Sequence, residues 1–267
     1  MKSILDIPQL DADSSSSFPA AKQALTVPNG LLAWGGDLQP ERLLNAYRAG
    51  IFPWYTENQP LLWWSPAPRC VIFPAQIHIS RRTRRRYNSG QFTLTADREF
   101  VAVIQACAQD RGDSKGTWIT SGMLDAYCEL HVLGHAHSIE AWQDGRLAGG
   151  IYGLAIGTVF FGESMFSWQA DAGKIALIAL CKQLERWSFG VLDCQVSNPH
   201  LMRMGAVEIT RREFEKRLAE GVSSERPSGP WTQIFDPVPR WDPGCKRSVN
   251  PAVRGRMRPT HTPRRLR

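Results

Sequence analysis

Three apolar segments joined by two turn signals, with a long helical pattern directly after them, constrain the fold of this chain most. The segment HSIEAWQDGRLAGGIYGLAIGTVFFGESMF is interrupted at Asp144-Gly145 and at Gly157-Thr158. Pairs of this kind favour the tight turns of β-hairpins, so we predict an antiparallel meander of three strands. The next segment, DAGKIALIALCKQLERWSFG, has apolar residues at helical spacing and predicts a helix of about five turns that starts after Asp171.

The segments on either side of the meander add further helices and strands. Before it, PERLLNAYRAG, REFVAVIQACAQ and TSGMLDAYCELHVLG predict helices, the last with Thr120 or Ser121 as N-cap, and QFTLTA predicts a strand. Residues 20–70 are otherwise loop-rich. After the long helix, GVLDCQV and GAVEIT predict strands, and RREFEKRLAEG predicts a helix. This order of elements predicts an α+β fold with a mixed sheet.

The positive charge of the chain is concentrated at its C-terminal end. The 267 residues carry a formal net charge of +7. Residues 240–267 contain nine Lys and Arg and one Asp, which leaves 23 basic and 24 acidic residues in the rest of the chain. The Pro- and Arg-rich end predicts a disordered tail. Any nucleic-acid contact made by the folded body therefore has to come from a local patch.

The sequence predicts neither export nor membrane insertion. The N-terminal MKSILDIPQLDADSSSSFPA has no sustained apolar stretch, and no apolar run approaches the roughly 18 residues that cross a bilayer. The six cysteines, at positions 70, 107, 128, 181, 194 and 245, form no CxxC-type motif. We therefore expect a cytoplasmic protein with reduced, mostly buried thiols and no metal site.

Two polar residues interrupt the strand GVLDCQV. Asp193 and Gln195 are two apart, so in an extended strand their side chains point to one face and that of Cys194 to the other. The two polar residues either line the solvated face of an edge strand or form a site that orients an amine or a carbonyl. Because the strand follows an apolar helix, the pattern favours an interior strand. We expect Cys194 to be a core thiol.

Three other patterns each leave two interpretations open. Glu163, among aromatic residues at the end of the third meander strand, either points to solvent or holds a cationic ligand. Leu177, Leu180 and Leu184 share one face of the long helix, as plain core or as the wall of an apolar pocket. The arginines of HISRRTRRRYNSG lie on a solvated helix or loop, or they bind a phosphate backbone. They are Arg81, Arg82, Arg84, Arg85 and Arg86.

Seven blocks in unbroken order give the chain a resemblance to a known enzyme family. They are PNGLLAWGGDL, LLNAYRAGIFPWY, LLWWSPAPR, TWITSGMLDAYCELHVLGHAHSIEAW, GGIYGLAIGTVFFGESMFS, DCQV and HLMRMGAVEITRREF, between Pro28 and Leu218. Together they resemble the leucyl/phenylalanyl-tRNA–protein transferases of the bacterial N-degron pathway. The resemblance implies transfer of Leu or Phe, and less well Met, from aminoacyl-tRNA to the N-terminal Arg or Lys of a protein.

The resemblance also implies how the chain is organised. Residues 1–70 would form a loop-rich α/β domain, and residues 71–218 an acetyltransferase-like (GNAT-like) mixed-sheet domain. Outside the resemblance, composition leads us to expect a basic, disordered tail at residues 219–267. Because the donor ester is already activated on the tRNA, the reaction needs no cofactor. We expect a cytoplasmic monomer that makes no membrane contact.

Individual residues receive roles from the same resemblance. Asp193 would receive or orient the α-amine of the acceptor, with Gln195 as its partner in the proton relay. Glu163 would contact the aminoacyl-adenosine end or the acceptor. Trp54 and Trp118 match aromatic residues that hold the 3′ adenosine, and the arginine cluster would hold the tRNA body. The pocket for the donor side chain would comprise Ile151, Met165, Leu177, Leu180, Leu184 and Leu192.

Three features depart from the family pattern. Gly173 stands where a Ser is expected, in the motif ASK, and Arg203 stands where the family tends to have a small polar residue. The arginine-rich tail beyond Gly221 matches nothing expected of the family. None of these departures removes a residue that the resemblance assigns to the chemistry.

Two other functions fit the sequence less well than the transferase. An acyl-CoA-dependent N-acetyltransferase on the same fold would bind pyrophosphate with a Gly-rich loop at a helix N-terminus. The helix here begins DAGKIAL, with one Gly and a preceding Asp that would repel phosphate. A non-catalytic RNA-binding protein would leave Glu163, Asp193 and Gln195 without a role.

Overall fold

Two β-sheets form the framework of the computed structural model, which describes residues 7–12, 17–109, 119–225 and 230–237. The smaller sheet has the strand order β1-β2-β4-β3 and the larger one the order β11-β5-β10-β9-β8-β7-β6. The strands of the smaller sheet are β1 (Gln9–Leu10), β2 (Leu31–Gly35), β3 (Phe52–Pro53) and β4 (Leu62–Trp64). Those of the larger sheet are β5 (Arg69–Ile72), β6 (Thr93–Ala96), β7 (Ala136–Gln143), β8 (Arg146–Ile156), β9 (Val159–Ser167), β10 (Val191–Gln195) and β11 (Val207–Ile209).

The predicted meander forms the centre of the larger sheet. β7 pairs antiparallel with β8, and β8 pairs antiparallel with β9. Asp144 and Gly145, which join the first two strands, have φ angles of 51° and 73°. Two successive positive φ angles are typical of the hairpin turn that an Asp-Gly pair favours. The local turn chemistry therefore determines where the meander folds back.

The long helix connects the meander to a strand inside the same sheet. α5 (Ala172–Arg186) leads from β9 to β10, and β10 pairs parallel with β9 on one side and antiparallel with β5 on the other. The prediction that GVLDCQV is an interior strand is therefore confirmed. The prediction of a mixed sheet in an α and β protein is confirmed as well.

Helices cover both faces of the larger sheet. α5 packs in one core cluster with residues of α2 (Arg81–Asn88) and α8 (Trp231–Ile234). The other cluster holds residues of the smaller sheet and of four helices. These helices are α1 (Pro40–Arg48), α3 (Phe100–Ala108), α4 (Ser121–Val132) and α7 (Arg211–Val222). A short helix, α6 (Pro199–Arg203), follows β10. No helix in the described ranges has the length and apolarity that a bilayer span requires.

The folded part of the chain extends beyond residue 218. α7 continues to Val222, and Trp231 of α8 is only 3% exposed, with its ring stacked on that of His137. Expecting a disordered tail from residue 219 onward was therefore wrong for this stretch. The reason is that one buried tryptophan anchors the segment to the sheet, and composition does not reveal such an anchor. The arginine-rich residues 240–267 lie outside the described ranges.

Glycines allow α5 to lie close against the sheet. A Cβ atom added to Gly149 of β8 would lie 2.6 Å from the Cβ of Ala172. A Cβ atom added to Gly173 would lie 2.5 Å from the backbone oxygen of Phe166. Contacts this short do not occur in folded proteins, so both positions require glycine as long as the helix keeps this distance.

Candidate active site

Glu163, in the second half of β9, is the centre of a polar cluster built from distant parts of the chain. Its Oε1 accepts a hydrogen bond from Tyr47 Oη at 2.7 Å, and its Oε2 accepts one from Tyr127 Oη at 3.1 Å. Gln195 Nε2 lies 3.4 Å from Oε1. Tyr47 belongs to α1 and Tyr127 to α4. Two helices and two strands therefore converge on one carboxyl group.

The environment of Glu163 favours its neutral form. The pKa of Glu163 is raised to about 7, mainly by burial and to a smaller extent by the nearby Asp193 charge, while both phenol hydrogen bonds and Arg69 oppose the shift. Burial also raises the pKa of Tyr47 and of Tyr127 well above the usual range, so both remain phenols. Glu163 can therefore exchange a proton near neutral pH.

The two phenols are also hydrogen-bonded to each other. Three hydrogen bonds join Tyr47, Tyr127 and Glu163 in pairs, and each requires one hydrogen. The two phenols supply only two hydrogens. A proton on the Glu163 carboxyl supplies the third. The geometry of the cluster thus agrees with the raised pKa of Glu163.

Asp193 lies behind this cluster and is fully buried. It forms a two-point ion pair with Arg69 of β5, with Nε–Oδ1 at 2.8 Å and Nη2–Oδ2 at 2.7 Å. The guanidinium lies between the rings of Phe52 and Phe214, at 4.9 and 4.6 Å from their centroids. Both carboxylate oxygens are therefore occupied, and the side chain does not line the cavity described below.

Asp193 also shapes the backbone that follows it. Its Oδ1 accepts a hydrogen bond from the backbone N–H of Gln195 at 3.0 Å. The strand register shifts between these two residues, so Cys194 is the additional residue of a β-bulge. Gln195 has a φ of 57°, and the N–H of Val196 donates to the oxygen of Cys194 at 2.7 Å. Gln195 is thus the central residue of a strained γ-turn.

A cavity of about 780 Å³ opens beside Glu163 and Gln195. Four of the six residues predicted for the donor pocket line it, namely Ile151, Met165, Leu177 and Leu192. Leu180 and Leu184 do not line it, because both are fully buried further along α5. One end of the helical stripe is therefore pocket wall and the rest is core. Cys194 also reaches the cavity, on the side of α5.

Trp54 and the arginines of α2, which were expected to bind tRNA, do not line the cavity. Trp54 follows β3 with 44% of its surface exposed, and its ring centroid is 5.6 Å from that of Trp64. Trp118 lies outside the described residues. The arginine-rich segment forms α2, which buries Thr83 and Tyr87 and presents its arginines to solvent or to neighbouring side chains.

Three residues of the site were not found from the sequence. Tyr47 and Tyr127 occur in helices with an apolar pattern, where an aromatic residue is normally part of the core. The only sign of a further role was the phenol hydroxyl, which needs a hydrogen-bond partner when it is buried. Arg69 stands at the start of β5, in a segment read as loop, although burial of Asp193 would have demanded a cationic partner. The structure brings all three to Glu163 or Asp193.

The chain is similar to known proteins over most of its length. The family model described as leucyl/phenylalanyl-tRNA protein transferase matches residues 71–219, and the model of that family's N-terminal domain matches residues 36–67. The leucyl/phenylalanyl-tRNA–protein transferase of Thiobacillus denitrificans is 52% identical over 219 residues, which cover 82% of this chain and 96% of the relative. The protein of the same name from Stutzerimonas stutzeri is 54% identical over 212 residues, 79% of this chain and 93% of the relative.

One solved structure shows a weak similarity to this chain. The structure of L-PGS from Bacillus licheniformis aligns with a TM-score of 0.36 and 12% identity over 63% of this chain and 54% of that chain, which is too little to support an argument. This chain belongs to the leucyl/phenylalanyl-tRNA–protein transferase family.

Proposed function

We propose that this protein moves Leu or Phe, and less well Met, from aminoacyl-tRNA to proteins that begin with Arg or Lys, and so marks them for degradation. Membership of the family carries the reaction type. The observation that carries the chemistry is the titratable Glu163, hydrogen-bonded to two phenols at the edge of a cavity with an aliphatic wall. The acyl-CoA-dependent alternative is not favoured, since the relatives are all named as transferases that use tRNA.

The reaction is aminolysis of the ester that joins the amino acid to the tRNA. The neutral α-amine of the acceptor attacks the ester carbonyl carbon, a C–N bond forms, and the C–O bond to the ribose breaks. The amine loses one proton, and the leaving ribose oxygen gains one. An N-terminal amine has a pKa of roughly 8, so a base with a pKa of about 7 can take up the proton that the amine loses as it attacks.

Glu163 and Gln195 are the residues we assign to the reacting groups. Glu163 is the proton acceptor, and it then has a proton to deliver to the leaving oxygen. Gln195, held at the strained γ-turn, presents its amide beside Glu163 and hydrogen-bonds the substrate. Positioning of this kind and assistance to the tetrahedral oxyanion are the main catalytic needs of an ester that is already activated.

Asp193 acts in this proposal as a positioning residue, because both of its oxygens are engaged by Arg69. Its hydrogen bond from the N–H of Gln195 fixes the bulge, and its charge contributes to the raised pKa of Glu163. The role first assigned to it, direct capture of the acceptor α-amine, passes to Glu163.

The cavity selects the donor by apolar contact. Ile151, Met165, Leu177 and Leu192 supply aliphatic and thioether surface and no charge. A single methylene in such a pocket changes the free energy of binding by only ~1–3 kcal/mol, so overlapping use of Leu, Phe and Met follows. The tRNA body is held by the arginines of α2 through its phosphates, and the 3′ adenosine stacks on Trp54 and Trp118.

The larger-scale expectations belong to the same proposal. The second sheet, with its meander, crossover helix and parallel return strand, supports an acetyltransferase-like domain. The smaller sheet ends at Trp64 and the first strand of the larger sheet begins at Arg69, so the boundary with the proposed N-terminal domain lies between these two residues, slightly before the expected residue 70. We further propose that the protein acts as a monomer in the cytoplasm, where charged tRNA is found.

A transfer assay tests the proposal directly. Purified protein is incubated with tRNA charged with labelled Leu, and with peptides that begin with Arg, Lys, Glu or N-acetyl-Arg. We expect label only on the first two peptides, and at least a hundredfold slower transfer by Glu163→Gln. Equal labelling of the Glu peptide would contradict the acceptor assignment, and wild-type rates in Glu163→Gln would contradict the role of the carboxyl group.

A further inference from the structure

A row of basic side chains leads from α2 to the mouth of the cavity. It consists of Arg82 and Arg86 of α2, Lys174 of α5 and Arg203 of α6, and we call it the cationic rim. Only the arginines of α2 were part of the expected tRNA contact. Arg203, at the other end of the rim, has so far had no role.

The first half of the rim is organised around the start of α5. Arg82 and Arg86 are four residues apart and so share one face of α2. Arg86 Nη1 lies 3.9 Å from Asp171 Oδ2, and Lys174 Nζ lies 2.7 Å from Asp171 Oδ1. These three cations lower the pKa of Asp171, first through the Lys174 hydrogen bond. One carboxylate offsets one of four positive charges, so the rim keeps an excess of cation.

The second half of the rim reaches the cavity through α6. His200 and Leu201 line the cavity, and Arg203 lies three residues after His200, on the same side of this short helix. Burial lowers the pKa of His200, and the charges of Lys174 and Arg203 act in the same direction. Arg203 is exposed to solvent. The rim thus continues from α5 to the cavity mouth.

We propose that Arg203 binds a phosphate of the single-stranded 3′ end of the aminoacyl-tRNA, so that the cationic rim guides this end into the cavity. The inference rests on the proposed function, because it takes the cavity as the donor site. Each nucleotide carries one phosphate, which a row of cations matches. The acceptor is the less suitable partner for the rim, because its N-terminal Arg or Lys would be repelled by the same charges.

Two donors, one with and one without the phosphates of the tRNA, test this contact. KM is measured for leucyl-tRNA and for leucyl-adenosine, which has the same ester and no phosphate, at several salt concentrations. The variants are Arg203→Ser, Arg203→Glu and, as control, Arg212→Ser. Arg212 is an exposed arginine of α7, which packs on the opposite face of the sheet.

We expect the KM for leucyl-tRNA to rise several-fold in Arg203→Ser and further in Arg203→Glu, with kcat little changed. The slope of log KM against log salt concentration should fall by ~0.7, the value for one phosphate contact on a single strand. The KM for leucyl-adenosine should not change in either variant. Arg212→Ser should match the wild type with both donors.

Three results would overturn the proposal. An equal rise of KM for leucyl-adenosine would place Arg203 at the cavity and not at a phosphate. An unchanged KM for leucyl-tRNA would make it an ordinary surface arginine. A change confined to acceptors with acidic residues near their N-terminus would make it an acceptor contact. If the wild type transferred from neither donor, the proposed function would fail, and the Kd for charged tRNA would still decide the phosphate contact.

Discussion

The Glu163 carboxyl accepts hydrogen bonds from two phenols and still has a pKa of about 7. Its ordinary value is 4.5, so between these two pH values the folded protein holds a proton that the unfolded chain has lost. Stability therefore falls as pH rises through this window. The site stores a destabilised carboxylate, which is the form that accepts a proton from the attacking amine.

Replacing Glu163 by Gln should stabilise the protein at alkaline pH. The amide has no charge to bury, its oxygen can accept one phenol hydrogen bond and its NH2 group can donate to the other phenol oxygen, so the penalty of the carboxylate disappears. We expect a higher Tm than wild type at pH 8, and a smaller or no difference at pH 4.5. Thermal unfolding at both pH values measures this. A constant offset between the two proteins would mean that Glu163 does not titrate in this range.

The same group should appear in the pH dependence of transfer. If ionised Glu163 is the base, the rate falls as pH drops through about 7. The acceptor amine loses its proton at roughly pH 8, and this adds a second pH-dependent step to the rate profile, whichever residue acts as the base. We expect kcat/KM of the wild type to show both limbs and the residual activity of Glu163→Gln to show only the second. A profile of identical shape in both proteins would assign the proton transfer to another group.

At the scale of elements, β10 contains a strained turn, and α5 lies unusually close to the backbone of the sheet. The γ-turn at Gln195 has a φ of 57°, which costs a residue with a Cβ of order 1–3 kcal/mol. The turn persists because Asp193 accepts the N–H of Gln195 while Arg69 holds Asp193 in place. The strand therefore has its irregularity where an amide must leave the sheet and face the cavity.

Two substitutions at Gln195 separate the turn from the side chain. Gln195→Gly accepts a positive φ without strain and should unfold at or above the wild-type temperature, yet lose most transfer activity. Gln195→Val puts a branched side chain into the same turn and should lose ~1–3 kcal/mol of stability. Urea unfolding and a transfer assay distinguish the two effects. Equal destabilisation by both changes would show that the turn is not the source of strain.

Gly173 is a second position where the packing of two elements, α5 and β9, restricts the side chain. Replacing Gly173 by Ser, the residue expected from the family resemblance, places a Cβ 2.5 Å from the oxygen of Phe166 and 2.7 Å from Ser167 Oγ. We expect Gly173→Ser to cost ~1–3 kcal/mol of unfolding free energy, as overpacking does. Gly190→Ser is the control, because no atom lies within 4 Å of its added Cβ. If both variants unfold at the same denaturant concentration, α5 can move away without cost.

At the scale of the whole molecule, the site joins parts that are far apart in the chain. Tyr47 comes from α1 beside the smaller sheet, and Glu163 from the larger sheet, 116 residues later. One core cluster includes residues from Leu10 to Leu218, so both sheets share a continuous interior. The reaction centre lies where the two halves of the chain are packed against each other.

Removal of residues 240–267 tests how much of the molecule the reaction needs. The family models end at residue 219, and the described residues that build the site end well before residue 240. We expect the shortened chain to keep its kcat and its Tm, measured beside the full-length protein. A large rise in the KM for leucyl-tRNA alone would identify the nine basic residues as a further anchor for tRNA.

From β6 onward, most helices and strands and their order follow from the sequence alone, because the signals there are local. The Asp144-Gly145 turn and the Thr120 cap, which accepts the N–H of Met123, act within a few residues. The polar pair of β10 and the lone carboxyl of β9 were visible for the same reason. These local signals predicted the meander, α5, the interior position of β10 and three of the polar residues at the site.

Only the tertiary structure decided which groups those polar residues meet. Arg69 and Asp193 are separated by 124 residues, and Tyr127 meets Glu163 across 36. No local pattern specifies such pairs, since they depend on how sheets and helices pack. Packing also made Leu177 a cavity wall and left Leu184 in the core, although the two share one stripe. The sequence determined the chemical groups and the elements that carry them, and tertiary packing determined their partners, their burial and hence the pKa of Glu163.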